Sequence, residues 1–206
     1  MTAATDHPRT LTLGDIADLR AYERERDGFR THIIDLKKRR RVHVGLFVTL
    51  LFENRDTIRF QIQEMARAEK ILTDEGIQTE LDIYNPLIPE PGRVSATLFI
   101  ELTTKEQLVE WLPKLVGIER AVRFRIPDGA GGTEEIAFAP DAEHSEQLTR
   151  DEVTASVHYV HARLSPEQIE RFAAGPVELA VDLPAYTEST TLGDATVVEL
   201  LADLRG

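Results

Sequence analysis

The sequence predicts an α+β protein with a mixed, mainly antiparallel sheet. Several short runs alternate apolar and polar residues with period two, as strands do when one face is buried. Other segments repeat apolar residues at helical spacing, and the order strand, helix, strand occurs twice between residues 95 and 183. We expect residues 1–11 to be a mobile leader and residues 12–206 to form one compact domain, with a division into 12–88 and 93–206 as the alternative.

The first element is a long N-terminal helix. Thr12 followed by Asp15 resembles a helix N-cap with an acidic residue in the first turn. Apolar residues from Ile16 to Leu36 then follow a helical stripe to about residue 38, interrupted at Arg26. We expect one long helix, or a helix with an early break, that packs on the sheet by its apolar side.

This helix ends in five consecutive cationic residues, which are Lys37, Lys38, Arg39, Arg40 and Arg41. Positive charge at a helix C-terminus gains about 0.3 to 1 kcal/mol from the macrodipole, but five such residues are more than capping needs. One hypothesis is a docking patch for an acidic partner, a phosphate group or RNA. The other is a solvated helix end that balances residues 133–206, which hold four Lys/Arg against fifteen Asp/Glu.

A β-hairpin is the next prediction. Apolar residues occupy even positions from Val42 to Phe52 and again from Ile58 to Ile62. Pairing even with even positions keeps both apolar sets on one face and leaves residues 54–56, Asn-Arg-Asp, as a three-residue loop. The sequence therefore predicts two strands that meet at this loop and lead into helices.

The reverse face of this predicted hairpin is polar. It is either an ordinary solvated sheet face or a binding face for a small polar ligand or a partner protein. A carboxylate on this face serves acid–base chemistry only if it is buried beside another charged group. The candidate binding residues on this face and near it are Thr49, Arg59, Gln61, Gln63, Glu64, Arg67 and His158.

Two short helices and a connector follow. The helical phase breaks over residues 73–76, so that Thr73 or Asp74 caps the second helix. Residues 84–92, YNPLIPEPG, contain three prolines and form a stiff connector.

The rest of the chain predicts two β-α-β-like units that share one sheet. They cover residues 95–126 and 155–183, and both helices begin at Thr or Ser caps, with Pro166 at the first helical position. Residues 133–139 form a strand that pairs back on the preceding one, and residues 140–152 form a surface loop. The last helix has Asp194 as its cap, and its inward residues are Val197, Val198, Leu201 and Leu204.

Composition excludes several functions. The chain has no cysteine, which rules out disulfides, thiolate nucleophiles, thiolate zinc sites and self-held iron–sulfur clusters. A net charge of −12 disfavours general nucleic-acid binding. No segment approaches the ~20 apolar residues of a membrane helix, and we expect a cytoplasmic protein. His158 and His161 lie on opposite faces of a predicted strand, so they do not share a metal ion, and no metal or cofactor is predicted.

Several runs resemble one bacterial family, known as domain of unknown function 3501. They are DLRAYERERDGFR, IIDLKKRRRVHVG, FENRDTIRFQIQEMARAE, YNPLIP, WLPKLVGIE and TASVHYV, and the resemblance extends from Leu11 to Leu204. It implies a cytoplasmic protein often encoded beside rubrerythrin-like di-iron proteins and iron–sulfur oxidoreductases related to heterodisulfide reductase. The family offers no catalytic motif that could be carried over.

The leading hypothesis is therefore an accessory or adaptor protein of a redox system with an oxidative-stress association. It would bind its protein partner through the face around Arg59, Gln61 and Gln63 together with the basic run. The alternative is a small-molecule-binding enzyme whose polar pocket lies on the same hairpin face. The sequence does not specify an oligomeric state.

Overall fold

The structure is a computed structural model that describes residues 9–141, 149–150 and 153–206. The chain forms two compact units. Unit 1 consists of the described parts of Met1–Lys37 and Glu53–Pro89, and unit 2 of the described parts of Lys38–Phe52 and Glu90–Gly206. Residues 1–8 of the predicted leader lie outside the described residues, whereas Leu11 is buried and both its N–H and its C=O bind the Asn85 side chain.

Unit 1 is helical. Its described residues form two 3-10 helices, Leu13–Asp15 and Asn85–Leu87, and three α-helices between them. These are α1 (Leu19–Arg40), α2 (Arg55–Glu69) and α3 (Asp74–Tyr84), and the last three residues of α1 belong to unit 2. Thr12 is the N-cap of the first 3-10 helix and not of the long helix, and its N–H and hydroxyl both donate to the Asp15 carboxylate. Thr73 caps α3, as the sequence predicts. Residues 16–18 separate the 3-10 helix from α1, so the alternative with an early break is confirmed, whereas α1 itself is continuous through Arg26.

The second strand of the predicted hairpin is wrong, because residues 57–63 belong to helix α2. Ile58, Ile62 and Ala66 are buried and lie four residues apart, and a spacing of four fits a helix face as well as one face of a strand. Asn54 is the N-cap of α2: its side chain accepts from Thr57 N–H, and its own N–H donates to the Thr57 hydroxyl. The supposed turn is therefore the start of a helix.

Unit 2 contains two antiparallel sheets. Its described strands are β1 (Arg41–Val44), β2 (Val48–Phe52), β3 (Arg93–Ile100), β4 (Val122–Pro127), β5 (Thr133–Ala137), β6 (Ala139–Pro140), β7 (Thr149–Arg150), β8 (Val153–Thr154), β9 (Val157–Arg163), β10 (Glu178–Leu183) and β11 (Tyr186–Thr191). Within the described residues, the first sheet has the strand order β1-β2-β3-β9-β6 and the second sheet the order β11-β10-β4-β5, and β7 and β8 form a separate pair. The sequence predicted the α+β class and the antiparallel pairing correctly.

A hairpin exists, but it is formed by β1 and β2. Val42 pairs with Leu50 and Val44 with Val48, so the chain turns at residues 45–47, inside the run that the sequence assigned to one strand. The even positions of both strands are buried, as expected, but Thr49 and Leu51 of β2 are buried as well. The predicted apolar face is therefore correct for the strands, whereas Leu46, which the sequence assigned to that face, lies exposed in the turn.

The two strand–helix–strand units are confirmed, with one correction. They are β3, α4 (Lys105–Trp111), β4 and β9, α5 (Pro166–Ala174), β10. They do not share one sheet, because β3 pairs with β9 in the first sheet and β4 pairs with β10 in the second. Thr104 and Ser165 cap the two helices, and β5 pairs back on β4 as predicted. Buried residues from both sheets form one hydrophobic core, which includes Leu98, Phe124, Phe172 and Val181.

The chain ends in α6 (Asp194–Arg205). Its N-cap is Gly193 and not Asp194, which is the first helical residue. Leu200 and Leu204 are buried, whereas Val198 is exposed, so the inward stripe was partly misassigned. Of the predicted surface loop 140–152, residues 142–148 and 151–152 lie outside the described residues.

Candidate functional site

The predicted hairpin face is not formed, because the segment that carries most of its residues is a helix. Arg59, Gln61, Gln63, Glu64 and Arg67 lie on helix α2 in unit 1. Thr49 lies on β2 and His158 on β9, both in unit 2. The polar residues of α2 must therefore be judged by their own surroundings.

Glu64 is the centre of an ion-pair network inside unit 1. Its carboxylate accepts two hydrogen bonds from Arg26, at 2.7 and 2.8 Å, and one from Tyr22 Oη at 2.7 Å. The hydrogen bonds from Arg26 are the main reason why the pKa of Glu64 falls to about 2. Arg67 forms a further ion pair with Glu23 at 2.6 Å. These contacts join α2 to α1, and the Glu64 carboxylate remains ionised at neutral pH.

Gln63 is also structural. It is buried, its Oε1 accepts from Ala17 N–H at 2.8 Å, and its Nε2 donates to Ala17 C=O at 3.1 Å. The side chain thus satisfies both backbone groups of a residue between the 3-10 helix and α1. Gln61 points to the opposite side and is exposed.

Arg59 completes this arrangement. Its Nε donates to Asp15 C=O at 2.8 Å, its Nη2 donates to Glu25 at 2.9 Å, and its guanidinium stacks 4.7 Å from the Phe29 ring centre. Four of the five candidate residues on α2 therefore form hydrogen bonds or ion pairs with the N-terminal part of unit 1.

Thr49 and His158 are buried in unit 2. The Thr49 hydroxyl donates to Glu101 at 3.0 Å and lies 2.9 Å from His43 Nδ1. His158 Nε2 lies 2.8 Å from the Thr154 hydroxyl, and burial lowers the His158 pKa, which favours the neutral ring. The predicted β-strand at His158 is confirmed.

The basic run is mostly paired within the chain. Arg40 is only 2% exposed and donates to Asp203 at 2.7 Å and to Glu199 at 3.1 Å. Arg39 donates to Glu199 at 2.7 Å, and Arg41 lies 3.4 Å from Glu101. Lys37 Nζ lies over the Phe60 ring, and Lys38 is exposed. Two of the five cationic residues, Arg39 and Arg40, therefore form ion pairs with the C-terminal helix α6.

Unit 1 contains a small cleft of about 140 Å³. An apolar cavity of about this size holds one benzene ring, whereas pockets for drug-sized ligands measure roughly 300–1,000 Å³. Leu72, on its rim, is 77% exposed. The cleft is lined by Leu13, Ile16, Ala17, Asp18, Leu19, Gln63, Ala66, Ile71, Leu72, Thr73, Asp74 and Ile77.

The turn between β1 and β2 is held rigidly. Gly45 has φ +70°, a left-handed conformation, and a Cβ at this position would clash with Tyr186 Oη. That hydroxyl donates to Val44 C=O at 2.7 Å and accepts from Phe47 N–H at 3.3 Å. A side chain from β11 thus clamps the backbone on both sides of the glycine.

The same turn exposes an apolar side chain. Leu46 is 90% exposed, the highest value among the large apolar residues described. The ring centre of its neighbour Phe47 lies 4.7 Å from that of Trp111 and 4.7 Å from that of Tyr186. We call Leu46, Phe47, Trp111 and Tyr186 the aromatic turn. Sequence reasoning missed it, although a glycine inside a strand-like run was an available signal for a turn.

Two further findings concern the described residues alone. No group of three or more His, Asp or Glu side chains in that part of the chain is placed to hold a metal ion. Within the same residues, no helix has both the length and the apolar character needed to cross a bilayer.

The chain is similar to a protein family and to a solved structure. The family described as "Protein of unknown function (DUF3501)" matches residues 10–204. The crystal structure of a novel protein of unknown function from Burkholderia pseudomallei K96243 superposes with a TM-score of 0.85 at 36% sequence identity, covering 95% of this chain and 99% of that chain. No curated protein matches the chain.

Proposed function

The chain belongs to the DUF3501 family, and we propose that it is an accessory or adaptor protein that binds a protein partner through the aromatic turn. The proposed partner is a rubrerythrin-like protein or an iron–sulfur oxidoreductase of a cytoplasmic redox system. The family resemblance supports this choice of partner. Because the chain has no cysteine, any iron–sulfur cluster in the assembly would be held by the partner.

The observation that carries the proposal is the exposed Leu46 on a fixed turn. Transferring a leucine side chain from water to an apolar pocket gains about 1.5–3 kcal/mol. Docking orders little additional structure, because hydrogen bonds from Tyr186 and ring contacts from Trp111 already hold the turn. Tryptophan and tyrosine are the residue types that often dominate interface energies.

The alternative function, a small-molecule-binding enzyme, has less support. Its pocket was expected on a hairpin face, but the residues concerned are helical and pair with α1 and the first 3-10 helix. The unit 1 cleft of about 140 Å³ is small for a substrate and a catalytic group together. The hairpin face was the surface first expected for both functions, so the choice of the adaptor rests on the exposed Leu46 of the aromatic turn.

Isothermal titration calorimetry can test the proposal. The purified protein is titrated separately with the rubrerythrin-like protein and the iron–sulfur oxidoreductase of the source organism. We expect one of them to bind, and Leu46→Ser to weaken that binding about 10- to 100-fold, as the loss of 1.5–3 kcal/mol of burial implies.

Leu72→Ser is the matched control, because Leu72 is a similarly exposed leucine in unit 1. It should bind with wild-type affinity, and both variants should unfold at nearly the wild-type temperature. The proposal fails if neither redox protein binds, or if Leu46→Ser binds as tightly as the control.

A further inference from the structure

Five buried side-chain polar atoms in unit 2 lack a hydrogen-bond partner among the described residues, and three of them belong to neighbouring positions of the first sheet. These three are Arg93 Nε, Ser95 Oγ and His161 Nδ1. Ser95 is 2% exposed, and the Arg93 side chain is 14% exposed. The large majority of buried side-chain polar atoms are normally paired, so three unpaired atoms in one place need a physical explanation.

The sheet brings these atoms together. Ser95 on β3 lies directly opposite His161 on β9, which places their Cβ atoms about 5 Å apart. Arg93 precedes Ser95 by two residues on the same strand, so its side chain leaves the same face about 7 Å away. A guanidinium, a hydroxyl and an imidazole therefore border one patch of the sheet.

The charged residues around this patch do not give the Arg93 guanidinium a close acidic partner. Arg163 lies directly opposite on β9 and is paired with Glu90 at 3.2 Å. The ion pair from Arg93 to Asp141 measures 3.8 Å, which is too long for a hydrogen bond. Burial, and then the charge of Arg163, lower the Arg93 pKa, which shows that the cation lies in an unfavourable setting.

We propose that Arg93, Ser95 and His161 form a binding site for the carboxylate of a small organic acid. The fork of the Arg93 guanidinium matches two carboxylate oxygens, while the Ser95 hydroxyl and the His161 Nδ1–H tautomer supply further donors. Burial lowers the His161 pKa, so the ring is neutral and adds no charge. A monoanion suits this site better than a phosphate dianion, because Asp141 and Glu90 would repel the second charge.

This inference does not depend on the proposed adaptor function. One buried water with three hydrogen bonds could satisfy the same atoms, and the experiment must separate a bound acid from such a water. Sodium acetate is the probe, with sodium chloride and sodium phosphate at equal ionic strength as comparisons. Thermal unfolding gives the stabilisation, and isothermal titration calorimetry gives the acetate Kd.

We expect acetate, and neither chloride nor phosphate, to raise the unfolding temperature of the wild type. Arg93→Gln and Ser95→Ala should each weaken acetate binding at least tenfold. Arg120→Gln, which changes an exposed arginine of the same unit, should bind acetate like the wild type. The ring nitrogens of His161, assigned with His161→Gln, should shift in NMR spectra with the same midpoint as the calorimetric titration.

Three results would overturn the site. They are no response to acetate, which would indicate a buried water, a response to chloride or phosphate as large as that to acetate, and unchanged acetate binding in Ser95→Ala. The serine variant keeps the test decisive if Arg93→Gln does not fold, because it removes only one hydroxyl that has no partner among the described residues.

Discussion

Replacing Glu64 by glutamine should weaken unit 1 measurably at neutral pH. The Glu64 carboxylate accepts a two-point contact from Arg26 and a hydrogen bond from Tyr22. The amide keeps the shape of the side chain, but it loses the negative charge and can no longer accept at both positions facing Arg26. The variant therefore isolates the contribution of one ionised group.

The size of the effect follows from the pKa. A fall from the ordinary value of 4.5 to about 2 corresponds to at most about 3 kcal/mol of preference for the charged form. The Glu64 side chain is 29% exposed, and solvent screening reduces the expected loss to about 1–2 kcal/mol. Because the folded-state pKa is the lower one, this stabilisation is present above pH 4.5 and disappears as the pH falls from 4.5 towards 2.

Urea unfolding followed by far-ultraviolet circular dichroism measures this difference. At pH 7 the Glu64→Gln variant should be less stable than the wild type by about 1–2 kcal/mol, and the gap should narrow at pH 3. The control is Glu110→Gln, which removes an exposed i,i+4 pair with Lys114 and should change stability by less than about 0.5 kcal/mol. Equal losses in the two variants, or a gap independent of pH, would refute the reasoning.

Three further substitutions test other contacts. Gln63→Ala leaves the N–H and C=O of Ala17 without their side-chain partner, so it should lower the free energy of unfolding in urea by about 1–3 kcal/mol. An unchanged free energy of unfolding would contradict these two hydrogen bonds. Gly45→Ala places a Cβ against Tyr186 Oη at a residue with left-handed backbone, so it should destabilise the protein by at least about 1–2 kcal/mol, measured by thermal unfolding. An unchanged melting temperature would show that the turn can move away from Tyr186. Arg40→Met removes the buried guanidinium that binds Asp203 and Glu199, although Glu199 keeps its ion pair with Arg39, so the variant should be less stable by about 3 kcal/mol in urea unfolding. A stabilised variant would contradict this pairing.

Local rules explain what the sequence predicted well. Thr73, Thr104 and Ser165 cap helices because their hydroxyls satisfy backbone N–H groups within three residues. Val42 and Val44 of β1 are buried and Arg41 and His43 are exposed because strand side chains alternate between faces. Both rules depend only on neighbours along the chain, so a single sequence contains the information.

The predicted hairpin failed for an equally local reason. Ile58 and Ile62 are four residues apart, a spacing that both a strand face and a helix face satisfy. The Asn54 side chain is typical both of a turn and of a helix N-cap. Gly45 was the signal that the true turn came earlier, but the alternating apolar residues around it masked the break.

The predicted binding residues depended on distant partners. Gln63 bonds to a residue 46 positions away and Glu64 to one 42 positions away, while Arg40 pairs with one 163 positions away. A polar side chain on an amphipathic pattern has the same sequence signature whether it faces solvent or another helix. The tertiary fold therefore decides which of these residues remain available for recognition.

The aromatic turn can be tested most directly by fluorine NMR. Trp111 is the single tryptophan of the chain, so labelling with 5-fluorotryptophan gives one resonance from the surface in question. Adding the redox protein that binds in calorimetry should shift or broaden this resonance in the wild type, and Leu46→Ser should need about 10- to 100-fold more partner for the same change. A resonance that stays fixed in the wild type while calorimetry shows binding would place the partner on another surface and contradict the account.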